Sequence, residues 1–412
     1  MPSVRSVSIG IWIGAGSRYE APGESGVSHF IEHLLFKGSS RHDATAIARI
    51  FDTIGGEINA LTAREYTMVH ARFIDEHLEQ AFEVMADMVV NPAFVEVDLE
   101  REVVLEEIAM YEDSPGDLVS DYLTQEIFGE HPLGKSVIGT ADIIRAITPE
   151  HIKDYHHGHY RLPNMVISAA GNVEQERLTE LSLEHLAGGN TEEPATVDAG
   201  LAPPREESGA SFYRKDTQQY HVCFGGLGLS RHSDERYALS ILDGILGSSA
   251  SSRLFQEVRE KRGLAYSVYS FDRMYSDTGL VGVYFGCRGD SVAEVTGIVR
   301  EQVESLIETP VDEEELHRAK QSAKGRILLG LETTHSRMYR LGRLTVTGAE
   351  IIPIDEIIER VEAVTADDIQ DLARRLYRPE SLSAVAIGPD EKVFEKALGL
   401  MGSGRELSVR TA

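Results

Sequence analysis

The residues with the clearest chemical potential are His29, Glu32 and His33, which form the pattern His-x-x-Glu-His. On an α-helix, positions i and i+4 share a face, so both imidazoles can converge on one metal ion. Glu32, at i+3, stays close enough to act on a water at that ion. This arrangement is typical of zinc hydrolases and predicts Glu32 as the catalytic base. Surface or core histidines without a metal are the alternative that the motif alone leaves open.

A catalytic zinc ion needs a third protein ligand and an open position for water. The candidates lie in residues 99–108, a helical run with several carboxylates. Glu100 and Glu107 are two helical turns apart and share a face, so one can bind the metal while the other supports the site from behind. Spacing alone does not decide between Glu106 and Glu107. A solvated acidic helix is the simpler alternative.

The metal motif must be positioned by a helix, and the sequence predicts one over residues 26–36. Apolar residues recur at helical spacing from Val27 to Leu35, which indicates a buried stripe. Lys37 and Gly38 follow as a helix stop.

The length of 412 residues predicts at least two domains. Residues 188–205, rich in Gly, Pro, Ala and acid, are the predicted linker between a zinc-binding domain, 1–187, and a homologous metal-free domain, 206–412. Strands 57–61 and 66–73 are too closely linked for a crossover helix, which predicts antiparallel pairing. The expected class is α+β, two homologous domains that each contain an antiparallel sheet covered by helices.

The duplication is read from a similar order of elements in the two halves. The predicted elements that carry it are strand 7–13, helix 26–36 and late strand 165–170 in the first half, and strands within 211–227, helix 235–246 and late strand 383–387 in the second.

Charge restricts the class of partner, because 40 Lys and Arg residues against 67 Asp and Glu residues give a net charge of −27. Proteins that bind nucleic acid show a basic footprint, so no nucleic-acid partner is expected. Acidic groups that line a cavity would attract basic ligands, whereas a solvated acidic surface is the simpler interpretation.

The remaining composition predicts a cytoplasmic protein with no membrane partner. No window reaches about 18 consecutive apolar residues, and the N-terminus lacks the pattern of a cleavable signal. The two cysteines, Cys223 and Cys287, fit a reducing compartment. Residues 7–13 already alternate like a strand, so we expect the chain to begin inside a fold, with an upstream segment missing.

The combination of His-x-x-Glu-His with a downstream Glu-Arg-x-Val-x-x-x-Glu resembles the inverzincin zinc peptidases of the insulinase/pitrilysin family. The closest group is its mitochondrial processing peptidase-like branch, in its single-chain bacterial form. The resemblance implies that Glu107 is the third zinc ligand and Glu100 the supporting acid. It also implies a half-clamshell architecture.

Two further segments carry this resemblance. Residues 55–62, Gly-Gly-Glu-Ile-Asn-Ala-Leu-Thr, resemble the family's edge strand, and residues 131–134 resemble its His-Pro-Leu-Gly turn. The first implies that an extended substrate binds near Asn59 and Ala60.

In the second half, residues 259–266 resemble the family's Arg-x-x-x-x-x-x-Tyr segment. This implies that Arg259 and Tyr266 reach the substrate carbonyl beside the zinc, where a guanidinium and a phenol can stabilise an oxyanion. Without the resemblance, Arg259 is a surface helix residue and Tyr266 a half-buried strand aromatic. Residues 238–247 hold no His-x-x-Glu-His, so one zinc per chain is expected.

The function implied by the resemblance is that of a zinc-dependent endopeptidase acting on unfolded or short peptides, with basic peptides favoured by the net charge. Members of this family enclose their substrate between two units, each made of two domains. The length of this chain equals one such unit. The resemblance therefore implies a homodimer in which the partner completes the active site. The alternative is a non-catalytic scaffold or assembly subunit of the same fold. Such subunits usually lose metal ligands, whereas this chain keeps all of them.

Overall fold

The computed structural model describes residues 1–193, 208–402 and 406–411. They divide into two compact units, each discontinuous in sequence. As far as these ranges are described, unit 1 comprises Met1–Met110, Lys135–Gly200 and Leu329–Ile351, and unit 2 comprises Tyr111–Gly134, Leu201–Leu328 and Ile352–Ala412. Most of the predicted linker 188–205 lies outside the described residues, and the domain boundaries read from the sequence stay a prediction.

Unit 1 is a four-stranded sheet with helices on both faces. Its strands are β1 (Ser6–Ile13), β2 (Glu57–Thr62), β3 (Thr67–Ile74) and β4 (Met165–Gly171). Its helices are α1 (Val27–Leu35), α2 (Ala44–Thr53), α3 (Leu78–Val90), most of α4 (Val97–Glu112), α6 (Ala141–Ala146), α7 (Pro149–His159), α8 (Gln175–His185) and α12 (Thr334–Val346), the intervening α5 and α9–α11 being those of unit 2.

The strand order in this sheet is β2-β3-β1-β4, and every pair is antiparallel. Strand β1 is central and buried on both faces, since Ile9 and Ile11 belong to the larger core while Trp12 belongs to a smaller cluster. Strand β2 lies at one edge and pairs with β3 alone. Its Ile58 and Ala60 pack against the larger core. Because β2 ends the sheet, its other edge has no strand partner among the described residues.

Helix α12 packs against β1 and β4 of this sheet, although it lies far along the chain from both strands. The Ser168 hydroxyl accepts a hydrogen bond from the Trp12 indole nitrogen at 2.8 Å and donates to the Met338 carbonyl at 3.1 Å. A Cβ at Gly342 would lie 2.0 Å from that indole nitrogen. The close approach of helix and sheet therefore requires glycine at this position.

Unit 2 repeats the arrangement with a larger sheet. Its strands are β5 (Ala210–Arg214), β6 (Tyr220–Gly228), β7 (Ala265–Met274), β8 (Gly279–Cys287), β9 (Ser383–Gly388) and β10 (Ser408–Thr411). Its helices are α5 (Pro115–Phe128), α9 (Arg236–Leu246), α10 (Val292–Glu308), most of α11 (Glu313–Gly330), α13 (Ile354–Ala363), α14 (Ala366–Leu376) and α15 (Glu391–Leu400).

The order of the second sheet is β10-β5-β9-β6-β8-β7, so its last four strands reproduce the order of the first sheet. Helix α5 packs against β6 and β9 of this sheet, just as α12 packs against the corresponding strands β1 and β4 of unit 1. The predicted fold class, two related α+β halves, is confirmed. Antiparallel pairing, predicted from closely linked strands, is confirmed for β2 and β3. The second sheet differs at one edge, where β5 pairs in parallel with both β9 and β10. These strands are far apart in sequence, so the short-connection argument does not constrain them.

No helix among the described residues combines the length and apolar character needed to cross a bilayer.

Candidate metal centre

The predicted metal motif lies on α1, whose apolar face is fully buried. Val27, Ile31 and Leu34 are at most 1% exposed, and they belong to the core between the helix and the sheet. The burial fixes the rotation of the helix about its axis. His29 and His33 therefore project together, with their rings 4.7 Å apart between centroids and in an edge-to-face arrangement.

Glu107 on α4 faces both imidazoles. Its Oε2 lies 3.2 Å from His33 Nε2 and 3.6 Å from His29 Nε2. Three ligand atoms placed tetrahedrally at zinc bond lengths would be about 3.4 Å from one another. The two nitrogen-to-oxygen distances match this value, and all three ligand atoms lie within 4.8 Å of one another, so the cluster fits a zinc ion in donor type. In residues 1–193, 208–402 and 406–411, no other three His, Cys, Asp or Glu side chains converge in this way.

Glu106 and Glu107, which spacing did not separate, differ in environment. The Glu107 side chain is 46% exposed and contacts both histidines, whereas Glu106 is exposed to solvent. Glu107 is thus more exposed than His29, whose side chain is 10% exposed.

Behind His33, a buried carboxylate fixes the orientation of the ring. Glu100 is 3% exposed, and its Oε1 lies 2.9 Å from His33 Nδ1. Its second oxygen pairs with the Lys37 ammonium at 2.5 Å. When Nδ1 donates to the carboxylate, Nε2 keeps its lone pair for a metal, which is the usual arrangement of metal-binding histidines.

His29 is suited to act as a neutral ligand. Burial, and then the charge of His33, lowers the pKa of His29 to about 4. The imidazole is consequently uncharged at neutral pH and can offer a lone pair to a cation.

Glu32 lies beside this cluster and is bound to strand β2. The Thr62 hydroxyl donates a short hydrogen bond to Glu32 Oε2. Burial raises the pKa of Glu32, and the bond from Thr62 opposes that rise. Thr62 thereby holds the Glu32 carboxylate against the end of β2.

The predicted substrate-binding residues lie on the open edge strand of unit 1. Asn59 is exposed, and its side-chain oxygen accepts a hydrogen bond from the Ala60 N–H at 2.9 Å. Ala60 is partly buried against the core. Thr62, the residue that binds Glu32, ends the same strand, so the open edge leads to the proposed base.

Arg259 and Tyr266 are brought together in unit 2. The guanidinium of Arg259 lies 4.4 Å from the centre of the Tyr266 ring and donates to the Tyr266 carbonyl at 3.2 Å. Tyr266 is 76% exposed, more than the half-buried state read from the strand pattern. The cause is a β-bulge in β7, since Ala265 and Ser267 pair with successive residues of β8 and Tyr266 lies between them.

Sequence analysis gave no role to two residues that contact the site. The side chains of a strand alternate between its two faces, so Ile58, Ala60 and Thr62 share the face of β2 that packs on the core. This pattern could have indicated that Thr62 points inward. Lys37 was read only as part of a helix stop, and no local pattern indicates its pairing with Glu100.

Two family models match the chain in succession. The model described as insulinase, peptidase family M16, matches residues 1–141, and the model described as the peptidase M16 inactive domain matches residues 146–323. The word inactive agrees with the structure, because the described residues of 146–323 contain no cluster of three metal-binding side chains.

Similar proteins extend the match over nearly the whole chain. A protein of Streptomyces coelicolor named as an uncharacterized zinc protease is 41% identical over 397 residues, covering 94% of this chain and 86% of that protein. A Bacillus subtilis protein with the same kind of name is 39% identical over 390 residues, covering 94% of each chain. The structure of a Helicobacter pylori protease is similar in fold, with a TM-score of 0.87, 22% identity and 94% of each chain covered. These matches show that the chain belongs to the insulinase family of peptidases, M16.

Proposed function

We propose that the chain is a zinc-dependent endopeptidase that hydrolyses unfolded or short peptides, with a preference for basic ones. The observation that carries the proposal is the convergence of His29, His33 and Glu107, with Glu32 beside them. Family membership and the zinc protease names of the relatives support it. Zinc bound by these side chains would supply Lewis acidity toward water and a peptide carbonyl.

The side chains around the ligands supply the proton transfers. Glu32 accepts the proton of the attacking water and returns it to the departing amine. The hydrogen bond from Thr62 restrains the orientation of the carboxylate. Glu100 keeps His33 in the tautomer that binds a cation.

The substrate is proposed to add to β2 as a further strand. The unpaired edge of β2 offers main-chain donors and acceptors, and such pairing reads the backbone more than the side chains. This binding mode requires an extended peptide, which is why unfolded or short substrates are proposed. Asn59 and Ala60 would then lie beside the bound peptide, on the same strand as Thr62, which binds the proposed base Glu32.

A preference for basic peptides is supported by the charge of the helix that bears Glu107. In α4, six residues are acidic and one, Arg101, is basic. That basic side chain is engaged, since it donates to the Ile144 carbonyl and lies 3.5 Å from Asp98. Exposed Glu102 and Glu106 leave a negative surface on this helix, which attracts cationic chains.

This preference gives a testable expectation for matched peptides of opposite charge. A quenched fluorescent peptide rich in Arg should show about tenfold or greater kcat/KM over a peptide of equal length rich in Glu. The difference should shrink as salt is added, because ions screen exposed charges. Initial rates at low and high ionic strength measure both effects. Equal turnover of the two peptides would refute the preference.

The assembly belongs to the same proposal. We propose one zinc per chain and a homodimer in which Arg259 and Tyr266 serve the partner's site as oxyanion donors. The single metal-binding cluster of the described residues supports the first point. The exposure of Tyr266 on its bulge and the pairing of Arg259 with it support the second.

Removal and return of the metal tests the function directly. Cleavage of an Arg-rich peptide of about 15 residues should stop on chelation and recover when zinc is restored, because zinc sites release and rebind their ion reversibly. Turnover that continues in the metal-free protein would contradict the proposal. Silence in all states with zinc confirmed bound would favour the scaffold function instead.

A further inference from the structure

A buried carboxylate lies at the start of the metal-binding helix but outside the metal cluster. Glu20, in the segment between β1 and α1, is 2% exposed. Its Oε2 accepts a hydrogen bond from the Gly26 N–H at 2.9 Å, and its Oε1 accepts one from the Ser28 N–H at 3.0 Å. Both donors belong to the first turn of α1, and Ser28 directly precedes His29.

Helix α1 has no local means of satisfying these donors. Its N-cap residue is Gly26, which has no side chain, and its first turn contains no acidic residue. A capping side chain cannot replace this glycine, because φ is +93° and a Cβ would lie 2.7 Å from the Ile138 carbonyl. Helix N-termini need acceptors and favour negative charge. Glu20 supplies these acceptors from six residues upstream.

The segment that carries Glu20 is itself fixed to the hairpin of the substrate edge. The Arg18 N–H donates to the Arg64 carbonyl at 2.8 Å. The Arg18 guanidinium pairs with Glu65 at 3.0 Å, with both side chains almost fully buried. Residues 64 and 65 follow directly after β2, the strand that ends with Thr62. The same short segment thus contacts the helix of the base and the hairpin that holds it.

A movement of α1 along its axis would separate the parts of the site. His29, Glu32 and His33 move with the helix, whereas Glu107 lies on α4 and Thr62 on β2. We propose that Glu20 is a positioning residue of the metal centre: its carboxylate fixes the N-terminus of α1 and thereby holds the two histidines opposite Glu107 and the base opposite Thr62. The inference rests on the proposed function, because it concerns the same site.

The experiment compares Glu20→Gln with Glu24→Gln. Glu24 lies in the same segment, and its side chain accepts from the Ala21 N–H. It contacts α1 through its backbone carbonyl, which accepts from the Val27 N–H and is unchanged by the substitution, so Glu24→Gln is the matched control. The zinc dissociation constant is measured by competition with a chelator, and thermal unfolding of the metal-free protein is measured beside it. Glu20→Gln should bind zinc at least tenfold more weakly, comparable to loss of an outer partner of a metal ligand, and should show lower kcat with little change in KM. Glu24→Gln should match the parent.

Unchanged zinc affinity in the folded Glu20→Gln protein, even with a lower unfolding temperature, would overturn the inference, because a purely structural role predicts that result. If this variant does not fold, Glu20→Asp takes its place. Its side chain is one methylene too short for both hydrogen bonds, so weaker zinc binding is again expected and parental affinity contradicts the proposal. Zinc affinity is measured without substrate, so it decides the role of Glu20 even if the parent cleaves no peptide.

Discussion

Replacing Glu32 by Gln is expected to lower peptide turnover by about 10²- to 10⁴-fold, the usual contribution of a general base, while zinc stays bound. The amide cannot accept the proton of the attacking water. Its carbonyl can still accept the hydrogen bond from Thr62, and Glu32 is not among the three converging ligands. Steady-state kinetics on a quenched peptide measures the turnover, and zinc analysis of the same preparation measures the bound metal.

The interpretation requires that this variant remains folded. Its thermal unfolding should coincide with that of the parent, since Gln matches Glu in size and keeps the contact to β2. A Glu32→Gln protein that cleaves as fast as the parent would show that another group accepts the proton.

Replacing Glu107 by Gln is expected to weaken zinc binding more than the roughly 10- to 100-fold that loss of an outer-shell partner costs. The change removes the charged ligand that faces both imidazoles. Turnover at limiting zinc should fall in parallel and recover in part at high zinc. Competition with a chelating dye measures the affinity.

The adjacent residue provides the control. Glu106→Gln changes the charge of α4 by the same amount, but Glu106 points to solvent. Its zinc affinity should equal that of the parent. If the two variants lost zinc equally, the general charge of the helix would explain the binding, and Glu107 would have no role as a ligand.

The parts of the site that sequence could predict are those set by local geometry. His29, Glu32 and His33 are close because helical spacing alone brings i, i+3 and i+4 together. The choice between Glu106 and Glu107 depends on how α4 is rotated against the core, which adjacent positions in a sequence do not reveal. Glu20 and Lys37 were missed because their partners are set by loop paths and not by a period.

In the fold, too, features set by neighbouring residues could be predicted and contacts between distant segments could not. Hairpin partners β2 and β3 were predicted from their short connection, and the repeated order of elements indicated the duplication. The parallel pairs of β5 were not predicted, since their partners are far away in sequence. The placement of α5 in unit 2 and α12 in unit 1 has no local signature either, because each helix packs against strands that are far from it in the sequence.

The position of α12 determines when unit 1 can be completed during synthesis. The face of its sheet that bears Trp12, Tyr66 and Met68 is covered by residues that the ribosome adds only after most of unit 2 has been made. Until then this apolar face lacks its covering helix, so unit 1 cannot complete its packing. Contacts between such distant segments slow folding and lengthen exposure to aggregation. Completion of unit 1 therefore requires the prior synthesis of most of unit 2, although the candidate metal ligands all lie in unit 1.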